Sequence, residues 1–308
     1  MNVLVAGGTG FIGTRLVREL HENGHDVTVL ARNPDDADFP EGVDRVRGDV
    51  TAYDSMEGAL AGQDAVVNLV SLSPLFKPTG GNSHTKVHLG GTQNLVNAAE
   101  DHGVRKIVQM SALGADATGP TEYLRAKGQA EQVVADSELA HTVFRPSVVF
   151  GEGGEFVSFT KLLTTPYVTA LPGGGRTPFQ PIWVDDLAPM LAACVEEEHD
   201  GERYDIGGPE VLTMADVARL AYRAEGKSLR VVPVPMALAR VGLTLAGPVP
   251  FVPFGSDQYR SLRVDNTVTD NDVDAFGVTE ADLTTLGDYL GISESGGATD
   301  SAPGKTGV

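Results

Sequence analysis

Residues 1–13 read MNVLVAGGTGFIG, a hydrophobic run that ends in a cluster of glycines. The run has the length and flanking residues of a buried parallel strand, and residues 14–23 (TRLVRELHEN) place their aliphatic side chains on one face of a helix. Gly7, Gly10 and Gly13 therefore stand between a strand and a helix. That context is typical of a dinucleotide-binding turn, in which glycines permit a tight bend, close approach of a pyrophosphate and close helix–strand packing.

The first half of the chain alternates predicted strands with predicted helices. Further strands are predicted in the segments HDVTVLAR, VDRVRGDV, DAVVNLVS, KIVQMSA and HTVFRPSVVFG. Helices are predicted over 53–61, 84–103 and 121–137. Repeated βαβ units predict an α/β fold with a Rossmann-type, doubly wound parallel sheet, because right-handed crossovers place helices on both faces of the sheet.

The composition changes after Gly151, where glycine and proline become frequent. We expect an NAD(P)-binding Rossmann domain over 1–150, a smaller interleaved substrate-side lobe over 151–292 and a disordered tail over 293–308. The apolar stretch 231–254 carries Arg240 and five prolines, which argues against a membrane-spanning helix.

The charge balance also limits the function. Among 308 residues, 23 are basic and 42 acidic, for a formal net charge of -19, which disfavours binding to nucleic acid. Such an acidic excess with only seven lysines predicts a cytoplasmic protein from a high-salt organism (a halophile), the alternative being an ordinary acidic cytosolic protein. The N-terminus does not resemble a signal peptide, and the single cysteine, Cys194, excludes an internal disulfide and is expected in a helix core.

The choice of cofactor depends on the end of the second strand. That strand ends at Arg32, and no acidic residue follows until Asp35. A guanidinium suits a 2′-phosphate, so NADP(H) is favoured over NAD(H). Asp49 is a candidate partner for the adenine, with helix capping as the alternative. The residues predicted to bind the cofactor at the ends of the first four strands are Gly7, Thr9, Gly10, Phe11, Ile12, Gly13, Arg32, Asp49, Val50 and Val70.

Three residues form a candidate catalytic group. Ser111 follows the fifth strand, and Tyr123 and Lys127 are spaced i, i+4 on the next helix, so the phenol and the ammonium share one face. A nearby ammonium favours the phenolate and would lower the tyrosine pKa toward the range of an acid–base catalyst. Ser111 could hydrogen-bond a substrate carbonyl or alcohol, and Lys127 could also hold the nicotinamide ribose.

The combination of GGTGFIG, GDV, Ser111, Tyr123-x-x-x-Lys127 and HLGGTQNLV resembles the short-chain dehydrogenase/reductase superfamily. The long spacer and second lobe resemble its extended or atypical side, which includes NAD-dependent epimerases and dehydratases. This resemblance implies nicotinamide contacts from the backbone of Pro146 and Val148. The chain departs from the extended pattern at His88, where relatives carry an asparagine that organises a water relay, and this puts an efficient proton relay in doubt.

The segment SDQYRSLRVDNTV (256–268), with Asp257-Gln258, Leu262 and Asp265-Asn266, is similar to the branch containing the NAD(P)H-binding accessory subunit of respiratory complex I. This resemblance implies that the cofactor can be structural.

Two main functional hypotheses therefore stay open. One is an NAD(P)-dependent oxidoreductase that acts on a carbonyl or alcohol. Its substrate would lie against 151–176 and the DDLA segment. Few charges other than Arg176 occur there, so a quinone-like ligand is an option. The other is a non-catalytic NADPH-binding accessory or assembly protein, peripheral at the inner face of a membrane, with 231–254 as its contact surface. A nucleotide-sugar epimerase or dehydratase is a weaker third. No residue cluster has metal-ligand spacing.

Overall fold

The computed structural model describes residues 1–234, 260 and 264–292, and its main feature is one parallel sheet. The strands are β1 (Asn2–Ala6), β2 (Asp26–Ala31), β3 (Asp44–Arg47), β4 (Ala65–Asn68), β5 (Lys106–Met110), β6 (Ala140–Pro146), β7 (Val149–Phe150), β8 (Tyr167–Pro172), β9 (Pro178–Phe179), β10 (Ile182–Trp183), β11 (Arg203–Ile206), β12 (Leu212–Thr213) and β13 (Leu229–Val234). Seven of them form the central sheet in the order β11-β6-β5-β4-β1-β2-β3. The order reverses between β1 and β4, which confirms the predicted doubly wound Rossmann-type fold and marks the edge where ligands bind.

Helices cover both faces of this sheet. They are α1 (Gly13–Glu22), α2 (Gly91–Asp101), α3 (Glu122–Ala135), α4 (Glu155–Leu163), α5 (Val184–Ala193), α6 (Met214–Arg223) and the one-turn α7 (Leu286–Tyr289). One core cluster joins α1 and α5 to the sheet, and a second lies on the face covered by α2 and α3. The central strands β1, β4 and β5 are buried on both faces because a parallel sheet carries helices on each side.

Two predicted helices differ from the structure. Residues 53–61 form two 3₁₀ turns, Tyr53–Ser55 and Glu57–Leu60, with Gly58 in the second. A glycine inside so short a segment weakens an α-helix, and short 3₁₀ turns are common connectors. The helix predicted over 84–103 begins as a π-helical turn, Thr85–Gly90, before α2 continues it. Such wide turns are frequent at functional sites.

The elements from β7 onward, apart from β11 and α5, build a smaller set of layers beside the sheet. β8 pairs with β13, β9 with β12, and β7 with β10, while α4 and α6 pack into a third apolar cluster. The segment 264–292 returns to the edge strand: Asp205 N donates to Asp272 Oδ2 at 2.7 Å, and Gly207 N donates to Asn271 Oδ1 at 3.0 Å. These bonds occupy backbone groups at the edge of β11.

Cys194 follows α5 and is fully buried, as expected. Its thiol donates to the Met190 carbonyl at 3.3 Å, and burial raises the pKa of Cys194 to about 12.

Several predicted features fall outside the described residues: most of the apolar stretch 231–254, the motif residues Asp257, Gln258 and Leu262, and the tail 293–308. Within the described part of the chain, no helix has the length and apolar character needed to cross a bilayer.

Candidate functional site

Two adjoining cavities open at the carboxyl ends of β1 and β4. The larger has a volume of about 570 Å³, and the smaller about 220 Å³. Both are lined by Gly7, Gly10, Leu69 and Ser71, so they meet at the glycine turn. Every residue predicted to bind the cofactor lines one or both of them. The structure therefore gathers these residues at the switch point of the sheet, where open α/β folds bind dinucleotides.

The glycine turn fits a dinucleotide. Gly7 has φ 84°, a left-handed conformation that favours glycine. A Cβ on Gly13 would lie 2.4 Å from the Gly7 carbonyl oxygen, so this glycine allows α1 to pack against the turn. A Cβ on Gly10 would meet only that same oxygen, at 3.2 Å, and Gly10 lines both cavities. Gly10 thus leaves room for a ligand, and the N-terminal end of α1 favours its phosphates.

The smaller cavity contains several of the predicted cofactor-binding residues. It is lined by Thr9, Arg32, Asp49, Val50 and Val70. Desolvation acts to raise the pKa of Asp49, but hydrogen bonds from Thr51 N and Oγ1, both at 2.9 Å, and the nearby charges of Arg32 and Lys86 leave this pKa below its usual value. Asp49 is therefore an ionised acceptor beside an exposed guanidinium.

The end of β2 is held by a second arginine that the sequence reasoning missed. Arg47 Nε donates to the Arg32 carbonyl at 2.8 Å, and its terminal nitrogen donates to Asn33 Oδ1 at 3.1 Å. These two bonds fix the backbone from which the Arg32 side chain extends.

Tyr123 and Lys127 both line the larger cavity from α3. Thr121 caps this helix, accepting from Leu124 N at 3.2 Å. Lys127 is 1% exposed, and its ammonium donates to the Met110 carbonyl at 2.8 Å. Desolvation lowers the pKa of Lys127 to about 8, while Glu131 acts in the opposite direction.

The pKa of Tyr123 differs from the expected one. Desolvation raises it to about 12, whereas the sequence reasoning expected the ammonium of Lys127 to lower it. The ammonium instead bonds the end of β5. A tyrosine with this pKa is protonated at neutral pH, which suits a proton donor rather than a base.

Ser111 lines the same cavity, but its hydroxyl donates to Glu131 Oε1. Glu131 in turn binds both Arg145 Nε, at 2.8 Å, and a terminal nitrogen of that guanidinium. The sequence reasoning missed Glu131 and Arg145. The sequence does contain an indication of Glu131, because this residue lies one helical turn beyond Lys127 on the same face of the helix.

His88 is buried against Tyr123. The two ring centroids are 5.3 Å apart, and His84 stacks on His88 with centroids 5.5 Å apart. Burial first, then Lys127 and His84, lower the pKa of His88 well below its usual value, although the backbone of Leu72 and Val70 acts in the raising direction. His88 is therefore a neutral part of the wall behind Tyr123.

The end of β6 is fixed by Asn266. Asn266 Oδ1 accepts from Ser147 Oγ at 2.7 Å and from Val148 N at 2.9 Å, and Ile182 N donates to the Val148 carbonyl at 3.0 Å. Both backbone groups of Val148 are thus engaged within the protein. Pro146 and Val148 line the cavity, where Val148 can offer apolar contact.

The remaining wall of the larger cavity is mainly apolar. It includes Leu75, Leu113, Phe156, Phe159, Phe179 and Met214. Within the described ranges, Lys127 is the only basic residue and Glu155 the only acidic residue that line it.

Part of the predicted substrate surface lies elsewhere. Of the segment 151–176, residues between Gly153 and Phe159 reach the cavity, whereas Arg176 is exposed. Asp185 pairs with Arg15 at 3.5 Å, and Asp186 accepts from Thr284 N at 2.7 Å. Across the described residues, no three His, Cys, Asp or Glu side chains are grouped as metal ligands.

Residues 7–170 match the protein family described as NAD(P)H-binding. This match covers more than half of the chain, and the chain belongs to that family. The family agrees with the Rossmann-type sheet and with the glycine turn between the two cavities.

The relatives also agree with the resemblance found in the sequence. The chain is 29% identical over 291 residues to NADH dehydrogenase (ubiquinone) 1 alpha subcomplex subunit 9, mitochondrial, of Arabidopsis thaliana, covering 87% of this chain and 71% of that protein. It is 27% identical over 251 residues to the NAD(P)H azoreductase of Xenophilus azovorans, covering 80% and 81%. In structure it resembles the UDP-glucose 4-epimerase of Thermus thermophilus in complex with NAD, with a TM-score of 0.63, 24% identity, and 86% and 98% coverage.

Proposed function

We propose that this protein is an NAD(P)H-dependent reductase of an apolar carbonyl or quinone-like acceptor. The observation that carries the proposal is that Tyr123, protonated at neutral pH, lines one apolar cavity together with the glycine turn. The similarity to an NAD(P)H azoreductase supports a small aromatic acceptor. A substrate with a diphosphate would require cations, which favours a neutral acceptor over a nucleotide sugar.

The residues suit the following division of roles. Gly7, Gly10 and Gly13 would hold the pyrophosphate, and Arg32 would hold a 2′-phosphate, which favours NADP(H). When bound there, NAD(P)H would supply a hydride, with its two electrons, to the acceptor. Tyr123 would donate its phenolic proton to the acceptor oxygen as the C=O π bond breaks, so a carbonyl acceptor yields an alcohol. With a quinone, one oxygen would receive the hydride and the other the proton, so the product is a hydroquinone. Lys127 would restore charge balance beside the tyrosinate.

The test is reduction of a panel of short-chain ubiquinones, aromatic aldehydes and an azo dye by the purified protein. Oxidation of NADPH should depend on the acceptor and fall at least ~100-fold in Tyr123→Phe, as expected for loss of a general acid. Tyr53→Phe is the matched control, because the Tyr53 hydroxyl bonds Asp101 on the surface, away from the cavity. Equal rates in Tyr123→Phe and wild type would overturn the proposal.

A second candidate is a non-catalytic NADPH-binding accessory protein. The similarity to a complex I subunit over 87% of the chain favours it. Such a protein would be cytoplasmic and peripheral to a membrane complex, and its cofactor would be retained through purification at one molecule per chain. Recovery from cells without bound NADP(H), in a form that exchanges added cofactor within seconds, would count against this candidate.

A further inference from the structure

We propose that Glu131 is a positioning residue of the Tyr123–Lys127 pair. We also propose that it accepts the hydrogen bond of the Ser111 hydroxyl, so that Ser111 faces the cavity as a hydrogen-bond acceptor. The inference rests on the proposed reductase function of this cavity. It assigns to Ser111 a role different from donating a hydrogen bond to a substrate carbonyl.

The direction of the Ser111–Glu131 hydrogen bond follows from the charge of Glu131. The Glu131 and Arg145 side chains are 12% and 14% exposed, and two nitrogens of the guanidinium bind the two carboxylate oxygens. A carboxylate held in this bidentate way is ionised and can only accept. The hydrogen in the contact between Ser111 Oγ and Glu131 Oε1 therefore belongs to Ser111.

The backbone keeps Ser111 and Arg145 in one unit. Ser111 N donates to the Phe144 carbonyl at 2.7 Å, and Leu113 N donates to the Pro146 carbonyl at 3.2 Å. These bonds flank Arg145 on β6 and attach the loop after β5 to that strand. Arg145 also donates to the Ala115 carbonyl at 3.2 Å, so the guanidinium that holds Glu131 is itself fixed.

The same carboxylate acts on Lys127. Glu131 follows Lys127 by four residues on α3, so the two side chains share a face of the helix. In a site that excludes water, the negative charge stabilises the ammonium against desolvation. Glu131 thus keeps Lys127 charged behind Tyr123. A carbonyl substrate would then receive its proton from Tyr123, and Ser111 could accept a hydrogen bond from a hydroxyl group.

The first test is a titration of Lys127 that requires no turnover. In full-length protein labelled with ¹³Cε-lysine, the Lys127 signal is identified by its loss in Lys127→Arg. Its midpoint should lie near pH 8 in wild type and move down by about one pH unit in Glu131→Gln. Asp116→Asn is the matched control, because Asp116 is a carboxylate that acts on Arg145 and does not line the cavity. An equal midpoint in wild type and Glu131→Gln would overturn the inference.

A second measurement does not depend on the folding of Glu131→Gln. In protein labelled with ¹³Cδ-glutamate, the Glu131 carboxyl signal, identified with Glu131→Asp, should shift in Ser111→Ala because one hydrogen bond is lost. Ser147→Ala removes another hydroxyl of the same cavity, one that bonds Asn266, and should leave the signal in place. A Glu131 signal that does not respond to Ser111→Ala would contradict the inference.

Turnover provides a third readout, and it separates the two proposals. If an acceptor is reduced, the high-pH limb of the rate profile in Glu131→Gln should move down by the same amount as the Lys127 midpoint. If the high-pH limb of the rate profile stays in place while the titration midpoint of Lys127 moves, a role for Glu131 in the reaction is contradicted. If no acceptor is reduced, the proposed function fails, whereas the two labelling experiments still decide the contacts of Glu131.

Discussion

The ring of His88 meets the ring of Tyr123 edge to face, at 5.3 Å between centroids and an angle of 82°. Neither nitrogen of His88 makes a well-aligned hydrogen bond with a described residue, although the backbone of Leu72 and Val70 acts on the ring, and the side chain is 2% exposed. A buried polar group without a well-aligned hydrogen bond lowers stability, whereas the aromatic contact holds Tyr123 in place. His88 therefore positions Tyr123 while its own ring loses solvation.

We expect His88→Phe to fold with equal or higher stability at pH 7.5, because an apolar ring of similar size needs no partner. The stability of His88→Phe relative to wild type should be higher at pH 5.5 than at pH 7.5. The pKa of His88 is below 6.5 in the folded state, so its stabilising contribution is complete above pH 6.5 and is lost as the pH falls. The stability difference between His88→Phe and wild type should therefore grow by about 1.4 kcal/mol from pH 7.5 to pH 5.5. Urea unfolding of both proteins at each pH measures it.

A matched control for this experiment is His21→Phe, at a histidine outside the Tyr123 wall that is not fully buried. A stability difference between His88→Phe and wild type that does not vary with pH would show that His88 binds a proton equally in the folded and unfolded protein, and would contradict the lowered pKa of His88.

Alanine substitutions at Gly13 and Gly10 should affect different properties, stability at Gly13 and cofactor binding at Gly10. Gly13→Ala should lower the free energy of unfolding by about 2 kcal/mol or more, because its Cβ would overlap backbone at 2.4 Å. Gly10→Ala should fold, because its Cβ meets one atom at 3.2 Å, yet it should weaken cofactor binding at least ~10-fold by occupying the place of a phosphate. Thermal unfolding and calorimetric titration with NADPH separate the two effects. Equal cofactor affinity in Gly10→Ala and wild type would contradict the assigned turn.

Arg32→Ala should weaken binding of NADPH roughly 10- to 100-fold, as expected for loss of one or two charge-assisted hydrogen bonds. Binding of NADH should change by less than about threefold, since NADH has no 2′-phosphate. Calorimetry with both nucleotides measures the ratio. Arg45→Ala is the control, because Arg45 pairs with Asp35 at 3.5 Å and does not line the cavity. An equal loss for both nucleotides would show that Arg32 does not select NADPH.

Asn266→Ala should destabilise the protein by about 1–3 kcal/mol, because Val148 N would lose its acceptor at a partly buried position. Asn266→Asp keeps an oxygen in the same place and should retain most of that stability. Chemical denaturation compares the two variants, with Asn97→Ala as a control at the exposed contact between Gln93 and Asn97. Similar losses in Asn266→Ala and Asn266→Asp would show that the hydrogen bonds to Ser147 and Val148 are not the cause.

The sheet and the glycine turn could be predicted because they depend on local patterns. Strand length, helical periodicity and the spacing of Gly7, Gly10 and Gly13 are properties of adjacent residues. The i, i+4 relation of Tyr123 and Lys127 is equally local, and the structure places both residues on the wall of the same cavity.

The contacts that tune this site could not be predicted in the same way. Ser111, Glu131 and Arg145 lie on three different elements, and their hydrogen bonds depend on tertiary packing. The pKa of Tyr123 depends on how much solvent the finished cavity removes, which the spacing of two residues does not report. The bond from Val148 to Asn266 joins positions 118 residues apart.

The burial of Cys194 has a practical consequence. The thiolate is the form that reacts with alkylating and oxidising reagents, and a thiol of raised pKa in the core stays protonated and sheltered. Because the chain has no other cysteine, the folded protein should be inert to maleimide dyes. A cysteine introduced on its surface could then carry a fluorophore without removal of the natural one, and slow labelling of Cys194 itself would time the opening of the core.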